Sequence, residues 1–247
     1  MVTYATLRNC TFAAACIVCG CAFAQGSQID AGKFSAMPPG GELPPGWKAL
    51  EFRNIEKHTA YSLVPDAGVT VVKAVAEASA SGLSYDIDID PREHPLIQWR
   101  WKVDNVLAKG NPARKDGDDY PARLYITFKY DPDRVKPLDR AKYQMARAFA
   151  GPNLPYAAIN YIWESRLPKG EMVTSPYTDR LRMFVVQSGG ENVGRWQSEQ
   201  RNIYEDYKKA FGEEPASISG IAIMTDTDNT GERATAYYGD IVFKRSP

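Results

Sequence analysis

The chain has 247 residues, and its thirty basic and thirty acidic side chains cancel to zero formal net charge. That balance excludes a strongly basic nucleic-acid binder or a polybasic membrane-surface protein, while 44% apolar and 24% charged content is that of a globular protein able to bury a core. Fourteen tyrosines and five tryptophans suit a β-rich fold or a surface that stacks on flat ligands.

Residues 1–24 read as a secretory signal peptide. Arg8 supplies an early positive charge, an apolar run follows from Phe12 to Phe23, and Ala22-Phe23-Ala24 is a small-x-small processing site. The run is too short for a transmembrane helix. Cleavage there predicts a mature N-terminus at Gln25 and a periplasmic or secreted protein with no spanning segment. Cys10, Cys16, Cys19 and Cys21 are the only cysteines and all precede that site, so the mature chain has no disulfide or thiolate chemistry. Val18-Cys19-Gly20-Cys21 also resembles a lipoprotein processing box, which makes lipid anchoring at Cys21 the alternative.

Residues 25–46 are rich in Gly, Pro and Ser and predict a flexible arm. Residues 47–247 then show no linker and no repeat, and predict one domain. "VTVVKAVAEAS" and "GLSYDIDID" read as two early strands. "LIQWRWKV" places Ile97, Trp99, Trp101 and Val103 on one face and Gln98, Arg100 and Lys102 on the other. "PARLYITFKY" and "AAINYIWES" alternate in the same way, and this period of two marks half-buried strands. "RLRMFVVQS" and "SGIAIMT" are more uniformly apolar and predict central strands. Helical signals are confined to residues 134–149 and 199–211, the second ending at Gly212 as a helix cap. Many short strands separated by turn signals predict an all-β fold with minor helices, an antiparallel β-sandwich.

Two acidic stretches invite a chemical reading. In "MTDTDNTGERATAYYGDIVF", Asp226, Asp228 and Gly231 match positions 1, 3 and 6 of an EF-hand loop, but position 12 is Tyr237 and the flanks are strands. An EF-hand is excluded. The primary reading is turn chemistry, with Asp and Asn bonding their own backbone and Gly231 supplying a positive φ. Calcium held by Asp226 and Asp228 is the second reading, and no other cofactor is implied. "KDGDDYPAR" groups Asp116, Asp118 and Asp119 before a strand and reads as a solvated loop with Arg123 as an available partner. Its alternative is a site rim into which Asp119 or Tyr120 reaches.

The polar faces of the middle strands carry the binding hypothesis. Arg100, Lys102, Arg123, Tyr125, Asn160 and Glu164 would share one side of a sheet if their strands are neighbours. Such residues make directional or stacking contacts, as a sugar site requires, and the basic bias favours anionic sugars. Cross-strand pairing of Arg and Glu is the structural alternative. For catalysis the residues offer less. His58 and His94 form no zinc spacing, no G-x-S-x-G elbow occurs, and no Gly-rich phosphate loop is present. A carboxylate pair such as Glu164 with Asp119 or Asp226 could hydrolyse a glycoside. A lyase could use Tyr125 or His94 as base, with Arg123 neutralising a uronate.

"WRWKV", "GDDYPARLYITF", "INYIWES", "SPYTDRLRMFVVQSG", "GRWQSEQRNIYEDYKKAFGEEP" and "IAIMTDTDNTGERATAYYGDIVF" together resemble DUF3047, a bacterial exported family of unknown function. The resemblance runs from about Trp47 to Lys244. More loosely, the closing segments resemble those of galactose-binding-like jelly rolls, a fold many carbohydrate-binding modules use. Together these readings favour binding of a glycan or cell-envelope polymer. A polysaccharide-degrading enzyme and an envelope assembly factor are the alternatives.

Overall fold

Alternation along the strands builds two sheets that close on one aromatic core. The computed structural model of the protein describes residue 1 and residues 28–151 and 154–246. The expected cleavage site, the lipidation alternative at Cys21 and all four cysteines lie outside the described residues. Among those described, no helix is long and apolar enough to cross a membrane.

The chain begins with β1 (Gln28–Gly32), β2 (Trp47–Leu50), β3 (Ala60–Asp66), β4 (Val69–Glu77) and β5 (Ala80–Ile89). Next come β6 (Leu96–Val103), β7 (Ala122–Phe128), α1 (Pro137–Ala150), β8 (Ala157–Glu164), β9 (Met172–Thr174) and β10 (Leu181–Ser188). It ends with β11 (Gln197–Asn202), α2 (Ile203–Phe211), β12 (Ile218–Asp226) and β13 (Arg233–Lys244). One sheet has six strands in the order β11-β6-β13-β4-β3, with β1 also paired to β13. The other has seven, in the order β2-β5-β12-β7-β8-β10-β9. The chain crosses between sheets at β4–β5–β6–β7 and again at β11–β12–β13, the wrapping of a jelly-roll sandwich.

The inward residues of β6 and β8 carry the core. Trp99 stacks on Tyr161 at 5.1 Å and meets Trp101 edge-on at 5.4 Å, and Trp101 leans on Trp163 at 6.2 Å. These rings join the two sheets, so the alternation of "LIQWRWKV" and of Ile159, Tyr161 and Trp163 has its expected meaning.

Four expectations need correction. The arm predicted for residues 25–46 is tied down at its start: β1 pairs with β13, and Phe34 is wholly buried against Trp47. Burying that ring outweighs the turn-forming composition around it. The second helix begins at Ile203, because Gln197–Asn202 pairs edge to edge with β6. Asn202 then caps α2 by accepting from Glu205 N–H (3.1 Å), and Gly212 ends it at φ +68°. β8 and β10 run parallel, the one departure from antiparallel pairing among the described residues, because residues 165–180 cross over between them. Finally, β8 is buried along its whole length. Tyr120, Leu167 and Val173 pack on Ile162, Met183 and Val185 and cover its outer face.

Candidate ligand-binding site

The six residues expected on one polar face divide between two. Arg100 and Lys102 project from β6 on the outside of the six-stranded sheet, whereas Arg123, Tyr125, Asn160 and Glu164 belong to β7 and β8 of the seven-stranded one. β6 and β7 follow one another in sequence but lie in opposite layers, so they cannot form a shared platform. Arg123, Asn160 and Glu164 are also buried rather than open, under the cover just described. Glu164 is a turn cap: Oε2 accepts from the N–H groups of Arg166 and Leu167. That use leaves it unavailable as half of a catalytic carboxylate pair.

Arg123 organises the covered face. Its Nε donates to Asp226 Oδ1 at 2.8 Å, its Nη2 bonds Asp226 Oδ2 and the Asp118 carbonyl, and its Nη1 donates to the Tyr125 hydroxyl at 2.9 Å. Asp118 Oδ2 stands 3.7 Å from Nη1, and the Tyr120 ring lies 4.3 Å from the guanidinium carbon. A buried guanidinium is tolerable only when its donors are filled and its charge is met, and here both conditions hold. Burial works against the Arg123 charge, but Asp226, Tyr125 and Asp118 hold it protonated, above its usual range.

The acidic loop is solvated only at Asp116, which pairs with Arg114 at the surface. Asp118 and Asp119 are 5% and 1% exposed. Asp119 caps the turn after β12, accepting from Asn229 Nδ2 (2.9 Å), Asn229 N–H (3.4 Å) and Thr230 N–H (2.6 Å). Gly231, at φ +69°, closes that turn as expected, with its N–H bonded to the Thr227 carbonyl at 2.9 Å. The turn is not a hairpin, because β12 and β13 belong to different sheets. Carboxylate oxygens of Asp119, Asp226 and Asp228 lie within 4.8 Å of one another. Asp226 spends both oxygens on Arg123 and Asp119 both on the turn, which makes a poor donor set for calcium. Burial raises the Asp118 carboxyl against the pull of Arg123, and burial with the neighbouring Asp119 raises Asp228.

Tyr125 joins this cluster to a cleft of about 720 Å³ between α1, the outer side of β7 and β8, and residues 177–182. Tyr125, Tyr143, Tyr156, Tyr177 and Phe211 supply aromatic walls, with Arg180 between them. Arg180 is spoken for, packed 3.9 Å over the Tyr156 ring and paired with Glu213 at 2.6 Å. Tyr177 is the most open ring, at 56% exposure. Asn160 lies directly across from Tyr125 in the β7–β8 register and is fully buried, yet neither of its amide atoms has a hydrogen-bond partner. Asp118 Oδ1 and the Tyr120 hydroxyl are likewise buried and unpartnered. Burial pushes Tyr125 up to about 12, opposed by Arg123, and a phenol so held is no general base at neutral pH. His94 lies outside both the Arg123 contacts and the cleft lining.

Sequence reasoning finds Arg123, Tyr125 and Asn160 and names Asp119 and Tyr120 as possible rim residues. It misses Tyr143, Tyr156, Tyr177 and Phe211. Their signals are local, an aromatic in the turn-rich "SPYTD" segment, just before β8, or on one of the two helices, and no period marks them.

A family described as protein of unknown function (DUF3047) matches residues 45–242. A search of curated proteins returns no match. Among solved structures, the chain is similar to the family 11 carbohydrate-binding module of cellulosomal cellulase Lic26A-Cel5E of Clostridium thermocellum, at 9% identity and a TM-score of 0.40. That match covers 85% of this chain and 94% of the other. A xylan-binding module, CBM15, is similar at 11% identity and a TM-score of 0.32, covering 90% and 97%. The winged bean acidic lectin complexed with methyl-α-D-galactose is similar at 11% and 0.38, covering 90% and 100%.

Proposed function

The chain belongs to the DUF3047 family, and on that premise we propose that it is an exported protein that binds a glycan in the cleft floored by Tyr125. One observation carries the reading: Tyr125, Tyr143, Tyr156, Tyr177 and Phe211 line one cleft of about 720 Å³. The fully buried Asn160, opposite Tyr125 in the strand register, is not part of that lining. The aromatic walls supply faces on which pyranose rings can stack, and Tyr177 is exposed enough to do so.

The test is affinity electrophoresis against a panel of soluble neutral and acidic polysaccharides, followed by product analysis on any that retard the protein. Tyr177→Ala should abolish the retardation. Asn160→Leu should leave binding intact and the melting temperature unchanged or raised, because it removes an unsatisfied polar group at similar volume outside the cleft lining. Retention of binding in Tyr177→Ala would sink the cleft as the site. Release of shortened or unsaturated products would convert the reading to a polysaccharide-degrading enzyme. Mass spectrometry of the native protein should find Gln25 at the N-terminus, and a diacylated Cys21 would replace secretion with anchoring.

A further inference from the structure

The outside of the six-stranded sheet carries a separate feature. Arg100 is one of four outward residues of β6, and its side chain lies along the sheet instead of standing off it. Two devices put it there. β13 has a bulge between Tyr238 and Ile241, and Gly239 sits in that bulge. A Cβ on Gly239 would come 2.5 Å from Arg100 Cγ and Nε, so only glycine leaves the side chain this path. The guanidinium then stacks over the Trp196 ring at 4.6 Å. Trp196 is itself held, its indole N–H donating to Asp66 Oδ1 at 2.8 Å while Asp66 pairs with Lys102.

Arg100 is thus oriented, and against the effect of burial its charge helps Lys102 and Trp196 to lower the Asp66 carboxyl without touching it directly. Among the described residues its guanidinium makes no hydrogen bond and no ion pair. It borders a shallow groove of about 350 Å³ with Gln98, Ser198, Gln200, Glu199 and Asp240. The two acids there are engaged elsewhere. Asp240 accepts from Ser35 N–H (2.8 Å) and Ser35 Oγ (2.5 Å), and Glu199 accepts from Gln187 Nε2 (2.5 Å) with Lys169 at 3.8 Å.

We propose that this groove is a second binding site, for the carboxylate of a uronate-bearing polysaccharide, with Arg100 as the anchor. A planar guanidinium held flat by stacking presents its donor fork to a planar carboxylate at little further ordering cost. Gln98 Nε2 donates to Gln200 Oε1, and the remaining amide atoms of that pair, with Ser198 Oγ, can bond the neighbouring sugar hydroxyls, a need that a free inorganic anion would not have. This site does not depend on the cleft of the opposite sheet.

The probe is polygalacturonate, with a neutral galactan as control, measured by isothermal titration at two salt concentrations. The wild-type protein should bind polygalacturonate, more weakly at high salt. Arg100→Ala should weaken that binding about tenfold or more, as loss of a charge-assisted contact does. Gly239→Ala should do the same with Arg100 intact, because the added methyl displaces the side chain from Trp196, and φ at Gly239 is not left-handed, so the backbone accepts alanine. Both variants should keep the wild-type melting temperature and any neutral-glycan binding in the cleft. Wild-type affinity for polygalacturonate in Arg100→Ala, or no binding by the wild type, would overturn the proposal. Loss of neutral-glycan binding alone would strike the cleft and leave this site standing.

Discussion

Arg123 of β7 and Asp226 of β12 stand 103 residues apart in sequence and meet in a two-pronged ion pair, with Nε 2.8 Å from Oδ1 and Nη2 on Oδ2. Both side chains are almost completely enclosed, at 3% and 2% exposure. The pair links two strands adjacent in the seven-stranded sheet and orients Tyr125 toward the cleft.

Removing either partner should therefore be severe. Arg123→Ala should cost about 3–5 kcal/mol, since Asp226 would be left as an uncompensated buried charge. Asp226→Asn should cost less, because it keeps the shape and one acceptor. Urea unfolding with a double-mutant cycle checks this, and a strong positive coupling is expected. A cost below about 1 kcal/mol for Arg123→Ala would mean that the covering loops open freely.

A second outcome concerns the core. Trp101 is wholly buried and packs on both Trp99 and Trp163 across the sandwich. Trp101→Ala should destabilise by about 3–5 kcal/mol through lost burial and the cavity left behind. Chemical denaturation followed by tryptophan fluorescence measures it directly.

The dependence on pH has a definite sign. The Asp228 carboxyl is raised by burial and by Asp119, so between its unfolded and folded values the native state holds a proton that the unfolded chain has released. Stability carried by this group is then lost as pH rises through that window and regained on acidification. Asp228→Asn should raise the melting temperature at pH 7, and the gap to wild type should close below the ordinary carboxylate range. An unchanged gap across pH 3 to 7 would show Asp228 to be solvated.

Calcium should not stabilise the protein. Asp226 already gives both oxygens to Arg123 and Asp119 gives both to the turn. A site filled at one hundred times its Kd would add about 2.7 kcal/mol, a rise of roughly 5–11 °C in a domain of this size. Equal melting temperatures in excess calcium and in chelator are the expected result. A calcium-dependent rise that Asp228→Asn abolishes would restore the metal reading.

Much of the fold is legible from the sequence by itself. Alternation in "LIQWRWKV" and "PARLYITF" assigns inward and outward side chains correctly, because the side-chain period of a strand is a local property of its backbone. The cap at Gly212 and the positive φ at Gly231 are local for the same reason. Which strands share a sheet is not local. Arg100 and Arg123 look alike in sequence, yet one faces outward on the six-stranded sheet and the other is enclosed on the seven-stranded one. Asp118 and Asp119 look solvated because their partners, Arg123 aside, are Asn229 and Thr230, more than a hundred residues away. Only the tertiary structure brings the turn after β12 down onto the loop before β7, and lays Tyr120 and the crossover through β9 over β8. Period and composition determine which face of a strand is polar. Whether that face meets water, a covering loop or a ligand depends on what distant chain is packed over it.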